Sequence, residues 1–116
     1  MMNTFVTPLC FKKDANGFNS YAPSFTILNY STTLAANTAQ SLTVPDTNPN
    51  FVAVFSFTPG ASVFIANNHT ATIPGGSFSQ EDSQLNPAAR LVKSGDVLSF
   101  ITNNTTANVC VSFYAV

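Results

Sequence analysis

Apolar and polar residues alternate most cleanly from Phe51 to Thr58: Phe51, Ala53, Phe55 and Phe57 share one face, and Val52, Val54, Ser56 and Thr58 the other. A period of two is that of an extended strand, and apolar residues on both faces predict a central strand covered largely on both sides. Pro59-Gly60 follows, and an apolar run resumes from Ser62 to Ala66, which predicts a tight hairpin. Near the end of the chain Val109, Val111, Phe113 and Ala115 oppose Cys110, Ser112 and Tyr114, a second alternating strand. Val97 to Thr102 reads as a strand launched by Ser94-Gly95-Asp96, with residues 103–106 as the connection. Phe25 to Tyr30, Gln40 to Val44 and His69 to Ile73 are further candidates, and Phe5 to Leu9 is one at the start.

Turn chemistry separates these segments. Asn16-Gly17, Asp46 to Asn50, Pro59-Gly60, Pro74-Gly75-Gly76, Asn86-Pro87, Ser94-Gly95-Asp96 and Asn103-Asn104 combine residues that supply positive φ, preset φ or bond their own backbone. No segment keeps a 3.6-residue period for three turns. At most one short helical turn is expected near 87–91, with Asn86 as N-cap and Pro87 at the first helical position. The fold class expected is all-β: a two-sheet β-sandwich of short strands, with a jelly roll preferred over an immunoglobulin-like arrangement. An immunoglobulin's inter-sheet cysteine pair with an intervening Trp has no counterpart, because Cys10 and Cys110 lie near the ends and Trp is absent. The 116 residues suit one domain, divided here into an arm or edge strand over 1–14 and a sandwich over 15–116.

Charge changes the picture more than overall hydrophobicity does. Between Ala15 and Gln80 the only charged side chain is Asp46, and the whole chain is 8% charged against a usual quarter. Charge is the ordinary guard of surfaces and strand edges, so a β-rich chain without it is expected to be covered, by copies of itself or by a scaffold. Net charge is −1, and no basic cluster exceeds Lys12-Lys13, so no electrostatic footprint for nucleic acid or anionic membrane is present. No apolar stretch approaches the roughly 18 residues of a transmembrane helix. The first ten residues lack the basic and apolar regions of a secretory signal, so the chain is expected to fold in a cytoplasm or to have lost its signal. In a reducing compartment Cys10 and Cys110 are expected as free thiols; a disulfide between the two ends is the alternative.

Little catalytic chemistry stands out. His69 is the only histidine and no nucleophile elbow accompanies it, so a loop or strand-end role is expected rather than a Ser-His-Asp triad. The adjacent Glu81-Asp82 pair points to opposite sides of an extended chain, and the reading is a solvated loop neutralised by Arg90 or Lys93. With two cysteines and one histidine, no structural zinc set and no cofactor is expected, and no catalytic or metal residue is assigned. Acceptor patterns for N-glycosylation begin at Asn29, Asn68, Asn103 and Asn104, a number that chance supplies in a chain this rich in Asn, Ser and Thr. Tyr21, Tyr30 and exposed phenylalanines offer stacking surfaces for sugars, with core packing as the competing role.

The run from Leu85 through Asn86-Pro87-Ala88-Ala89-Arg90 and Lys93-Ser94-Gly95-Asp96 to Phe100, followed by a Val/Cys/Phe/Tyr strand, resembles small structural proteins of tailed bacteriophages over about Leu34 to Val116. Gly-Asp before a strand also occurs in cupins, whose metal-site histidines have no counterpart here. The resemblance implies a jelly-roll capsid decoration, or cement, protein: non-enzymatic, bound to the shell of the major capsid protein, located on the virion and assembled in the host cytoplasm. A dimer or trimer is expected, and the arm supplies the candidate interface residues Phe5, Phe11, Lys12 and Lys13. The alternative is a glycan- or receptor-binding β-sandwich of a tail fibre or a lectin.

Overall fold

The computed structural model describes residues 6–9, 15–18 and 24–116 of the chain. Eight strands form: β1 (Asn29–Ala35), β2 (Gln40–Thr43), β3 (Asn50–Phe57), β4 (Val63–Asn67), β5 (Gln84–Leu85), β6 (Ala89–Lys93), β7 (Val97–Thr102) and β8 (Thr106–Ala115). All pairings between these strands are antiparallel. They make two four-stranded sheets, β1-β8-β3-β6 and β2-β7-β4-β5, and the fold is a two-sheet β-sandwich. The pairs β1/β8, β2/β7, β3/β6 and β4/β5 describe a ribbon doubled back between β4 and β5. Rolling that ribbon adds the contacts β8/β3 and β7/β4.

The core lies between the sheets, where the period of two puts it. Phe51, Ala53 and Phe55 of β3 and Val109, Val111 and Phe113 of β8 face Val63 and Ile65 of β4 and Leu98 and Phe100 of β7. Phe113 meets Phe51 edge-on at 5.9 Å and Tyr30 at 5.8 Å, while Phe55 reaches across to Phe100 at 6.3 Å. Such edge-to-face pairs add to the stabilisation from burial itself. On the outer face of β3, Val52 and Val54 are half-buried, less covered than the alternation predicts.

The hairpin predicted at Pro59-Gly60 is absent: β3 and β4 belong to different sheets. A turn does form, with Ala61 N–H donating to the Thr58 carbonyl at 3.0 Å and Gly60 at φ 80°. That is type II geometry, and Pro59 enforces it, because both hairpin turn types need a positive φ where proline holds φ near −65°. Type II turns splay the flanking strands, so the chain leaves one sheet and enters the other. Ser94-Gly95 repeats the device between β6 and β7: Asp96 N–H donates to the Lys93 carbonyl at 3.1 Å and Gly95 has φ 81°.

The helical turn expected near 87–91 is also absent, and β6 occupies Ala89 to Lys93. Asn86 is no N-cap. At φ 43° it accepts from Val63 N–H at 2.8 Å through Oδ1 and donates to the Ala61 carbonyl at 2.8 Å through Nδ2. Its side chain thereby serves the start of β4 instead of a helix terminus.

The first long strand begins at Asn29 rather than Phe25. Before it, Thr26 Oγ1 accepts from Leu28 N–H at 3.2 Å and donates to the Phe113 carbonyl at 3.0 Å, taking the place of a backbone ladder step. The β1 sequence is Ser- and Thr-rich, and only Leu34 is buried, so its pattern carries little apolar signal. His69 to Ile73 is not a strand. Ala71 N–H donates to Ser99 Oγ at 2.9 Å, and Ala71 and Ile73 cover Ala66, Phe64 and Ile101 on the outer face of the second sheet. At the start of the chain Pro8 makes a single parallel bridge to Ala115, with Leu9 N–H on the Ala115 carbonyl and Ala115 N–H on the Thr7 carbonyl, both at 2.8 Å.

Phe113 touches aromatic partners on both its neighbouring strands and is fully buried. Phe113→Ala is expected to lower unfolding free energy by about 3–5 kcal/mol in urea titration. A loss below about 1 kcal/mol would place the core elsewhere.

Candidate functional site

The sandwich has two open sides, and they differ in chemistry. Between β4/β5 and β6 lies a cleft of about 250 Å³ whose floor includes Phe55, Ile65 and Leu98 and whose rim includes His69, Asp82 and Arg90. The loop joining β4 to β5 brings His69 Nδ1 to 3.9 Å from Asp82 Oδ2, both side chains about two-thirds exposed. A contact that long and that wet contributes little to stability. Arg90 Nε donates to Gln84 Oε1 at 2.8 Å, and its Nη1 donates to the Ala89 carbonyl at 2.6 Å. Arg90 is thus laid along β5 and β6 and does not neutralise Glu81-Asp82 as expected. The group facing Asp82 is His69, and Glu81 accepts the Ser79 hydroxyl at 2.8 Å.

Serines near this side serve the backbone. Ser83 Oγ accepts from Thr72 N–H at 3.0 Å, and Ser99 Oγ accepts from Ala71 N–H. Among the described residues no serine hydroxyl is bonded to His69, and no cluster of three or more His, Cys, Asp or Glu side chains is placed to hold a metal ion. The cleft is built as an apolar slot with a sparse polar rim.

The opposite side, between the edges of β1 and β2, carries no charged residue from Ser24 to Pro45. A cleft of about 190 Å³ opens there over Leu42, Phe100, Val109 and Val111, with Tyr30 and Gln40 at its rim. Gln40 ties the two sheets at this margin: its Oε1 accepts the Thr32 hydroxyl at 3.0 Å and its Nε2 donates to the Thr33 carbonyl at 3.1 Å. Two phenylalanines outside the sandwich, Phe25 and Phe78, are wholly exposed. Phe78 stands on the β4–β5 loop between Ser77 and Ser79, after Pro74-Gly75-Gly76. A single phenylalanine among turn residues and serines is a legible sign of an exposed aromatic, which the sequence reading did not single out.

Neutral polar side chains hold the loops around these sides. Asn68, at φ 62°, accepts from Val97 N–H at 2.9 Å and donates to Asp96 Oδ1 at 3.2 Å. Asp96 Oδ2 accepts from Lys93 N–H at 3.0 Å and from Asn67 Nδ2 at 3.1 Å. The Lys93 peptide N–H, opposed by the cost of burial, holds the Asp96 carboxyl below its ordinary value, and the Asn67 and Asn68 amides and the Lys93 charge lower it further. Three of the four glycosylation-pattern asparagines also have structural bonds. Asn29 Oδ1 accepts from Ser112 Oγ at 2.7 Å and Cys110 Sγ at 3.1 Å, Asn68 binds as above, and Asn104 Oδ1 accepts from Ser62 N–H at 2.7 Å. Cys110 is a half-buried free thiol. Cys10 and the predicted interface residues Phe5, Phe11, Lys12 and Lys13 lie outside the described residues.

A carboxyl held low in the folded state favours folding above its unfolded value of 3.8, and that contribution is lost as pH falls through the lower folded value. Melting curves of the wild type should therefore weaken below about pH 4 more steeply than those of Asp96→Asn. At neutral pH Asp96→Asn should cost about 1 kcal/mol, since the site is half-exposed and screened. Identical acid limbs for the two proteins would remove Asp96 from this role.

No protein-family model, curated protein or solved structure matches this chain.

Proposed function

We propose that the chain is a non-enzymatic structural protein of a bacteriophage virion, bound to the outside of the capsid shell through the major capsid protein. The observation that carries this reading is the surface: one open side of the sandwich without charge, a Ser/Thr edge strand, and wholly exposed Phe25 and Phe78. Apolar side chains and unguarded edges left in water mark surfaces meant to be covered. A protein that sits on a shell in many copies has such cover. The strand order fits the same reading. Six of the seven connections between successive strands change sheets, the habit of a jelly roll with its two Greek keys. An immunoglobulin-like sandwich keeps more successive strands as hairpins within a sheet.

The residues 1–14 arm is the proposed anchor, through strand addition to a neighbour. Among its described residues, Thr7 and Leu9 hold it to Ala115 beside the end of β8, and Val6 packs on the core. Purified protein should co-sediment, at a fixed ratio, with empty shells assembled from the major capsid protein of the same genome. Failure to co-sediment with shells of any maturation state would overturn the reading. Removing residues 1–14 should abolish co-sedimentation while lowering the melting temperature by only about 5 °C, the worth of roughly one lost kcal/mol.

Phe78 supports a second reading, a glycan- or receptor-binding module, because a ring exposed in a polar loop can stack on a sugar. In that case glycans bind saturably and Phe78→Ala removes the binding, while shells are not decorated.

A further inference from the structure

The four edge strands of the sandwich are not equally protected. β5 has two residues, and β6 carries Arg90 and Lys93, so a second β6 brought against it would meet like charges. β2 has four residues. β1 has seven, with no charge and no proline, and it is the long unguarded edge. Its outward groups follow from the ladder. Phe113 N–H donates to the Leu28 carbonyl at 2.9 Å, and the register pairs Tyr30 with Val111 and Thr32 with Val109. Backbone groups of even-numbered residues therefore point to β8, and those of Asn29, Ser31, Thr33 and Ala35 point away. The Thr33 carbonyl is taken by Gln40 Nε2 and the Ala35 carbonyl by Thr38 N–H. Among the described residues, Asn29 and Ser31 keep both the N–H and the carbonyl unpaired at the edge.

We propose that β1 is the self-association edge of this protein, pairing antiparallel with β1 of a second copy about a two-fold axis at Tyr30. Asn29 and Ser31 of one copy exchange both backbone bonds with Ser31 and Asn29 of the other. This is the register that uses the open groups and leaves the Gln40 and Thr38 bonds intact. Tyr30 then faces its own symmetry mate in the close, non-hydrogen-bonded position, where aromatic pairs contribute most. A second copy suits this edge because the patch is self-complementary, as a two-fold contact requires, and because no charge is repeated across the axis. A strand pair alone falls short of the roughly 800 Å² per partner of a stable complex. The remainder is at hand: the same axis brings together the two β1/β2 sides, with Tyr30, Gln40 and Leu42 around an apolar cleft.

This inference deepens the shell reading by naming the surface that joins copies. It is measured on purified protein without shells, so it can fail while co-sedimentation succeeds, and the reverse. Light scattering over a dilution series should give the mass of two chains at high concentration, falling toward one on dilution. Ser31→Pro removes an outward N–H that no intrachain bond uses, a position where edge strands tolerate proline. It should stay at one chain throughout with a near-wild-type melt, while Ser31→Ala should associate as the wild type does. As an independent check, Tyr30→Cys in a Cys10→Ser, Cys110→Ser background should form a disulfide-linked dimer on mild oxidation, because close pairs meet disulfide geometry. A single-chain mass for the wild type at every concentration overturns the proposal. So does wild-type association by a folded Ser31→Pro, or a Tyr30→Cys variant that fails to cross-link.

Discussion

The fold depends on β8. This last strand pairs with β1 on one side and β3 on the other, and it places Phe113 between Phe51 and Tyr30. It also receives the start of the chain at Ala115, and Tyr114 on its outer face donates its hydroxyl to the Ser24 carbonyl at 2.6 Å. Without β8, β1 has no ladder partner, since the β1 edge that faces away is unpaired among the described residues. The first sheet is therefore closed by residues far apart in sequence, the kind of pairing that pays loop-closure entropy before any contact forms.

The chain does with amides what other domains do with charges and water. Among the described residues, the three non-glycine positions at positive φ are all asparagine: Asn37, Asn68 and Asn86. Asparagine tolerates the left-handed region, and its side chain carries a donor and an acceptor that can stand in for peptide groups. Asn86 does this for Val63, the first residue of β4, and Asn104 for Ser62 just before it, where buried Thr102 donates to the Ser62 carbonyl at 2.7 Å. The turns that move the chain between sheets are thus pinned by neutral groups.

Strands with strong alternation were legible in the chain: β3 and β8 stand where the period of two puts them, and β7 and the short β2 where turn residues and apolar content mark them. β1 was displaced and β6 missed for one physical reason, that edge strands bury one or two side chains each, so their pattern is set by partners and not by their own residues. The hairpin error was avoidable, because Pro59 forbids both hairpin turn types. The pairing of strands was not legible, because sheet membership is decided at corners such as Thr58–Ala61 and Lys93–Asp96. The loop positions of His69 and of Glu81-Asp82 could be read from the chain, as could the scarcity of charge over Ala15 to Gln80, where Asp46 stands alone. That the uncharged residues of β1 and β2 share one open side, with His69, Asp82 and Arg90 at the other, required the topology.

That asymmetry bears on why an unguarded edge need not lead to fibres. An open sheet grows when each added copy presents a fresh edge of the same kind. In a two-fold β1 pair both unguarded edges are consumed, and the edges of that joined sheet left exposed are the two β6 strands. Each carries Arg90 and Lys93, with Leu91 between them as the one large exposed apolar side chain and Val92 buried. Gln40 on the Thr33 carbonyl and Thr38 on the Ala35 carbonyl further confine the free stretch of β1 to its first three residues. A short open stretch favours one register, where a longer one would tolerate slippage. In the proposed pair, charge withheld from one side and kept on the other would therefore give an association that closes on itself and leaves β6 free.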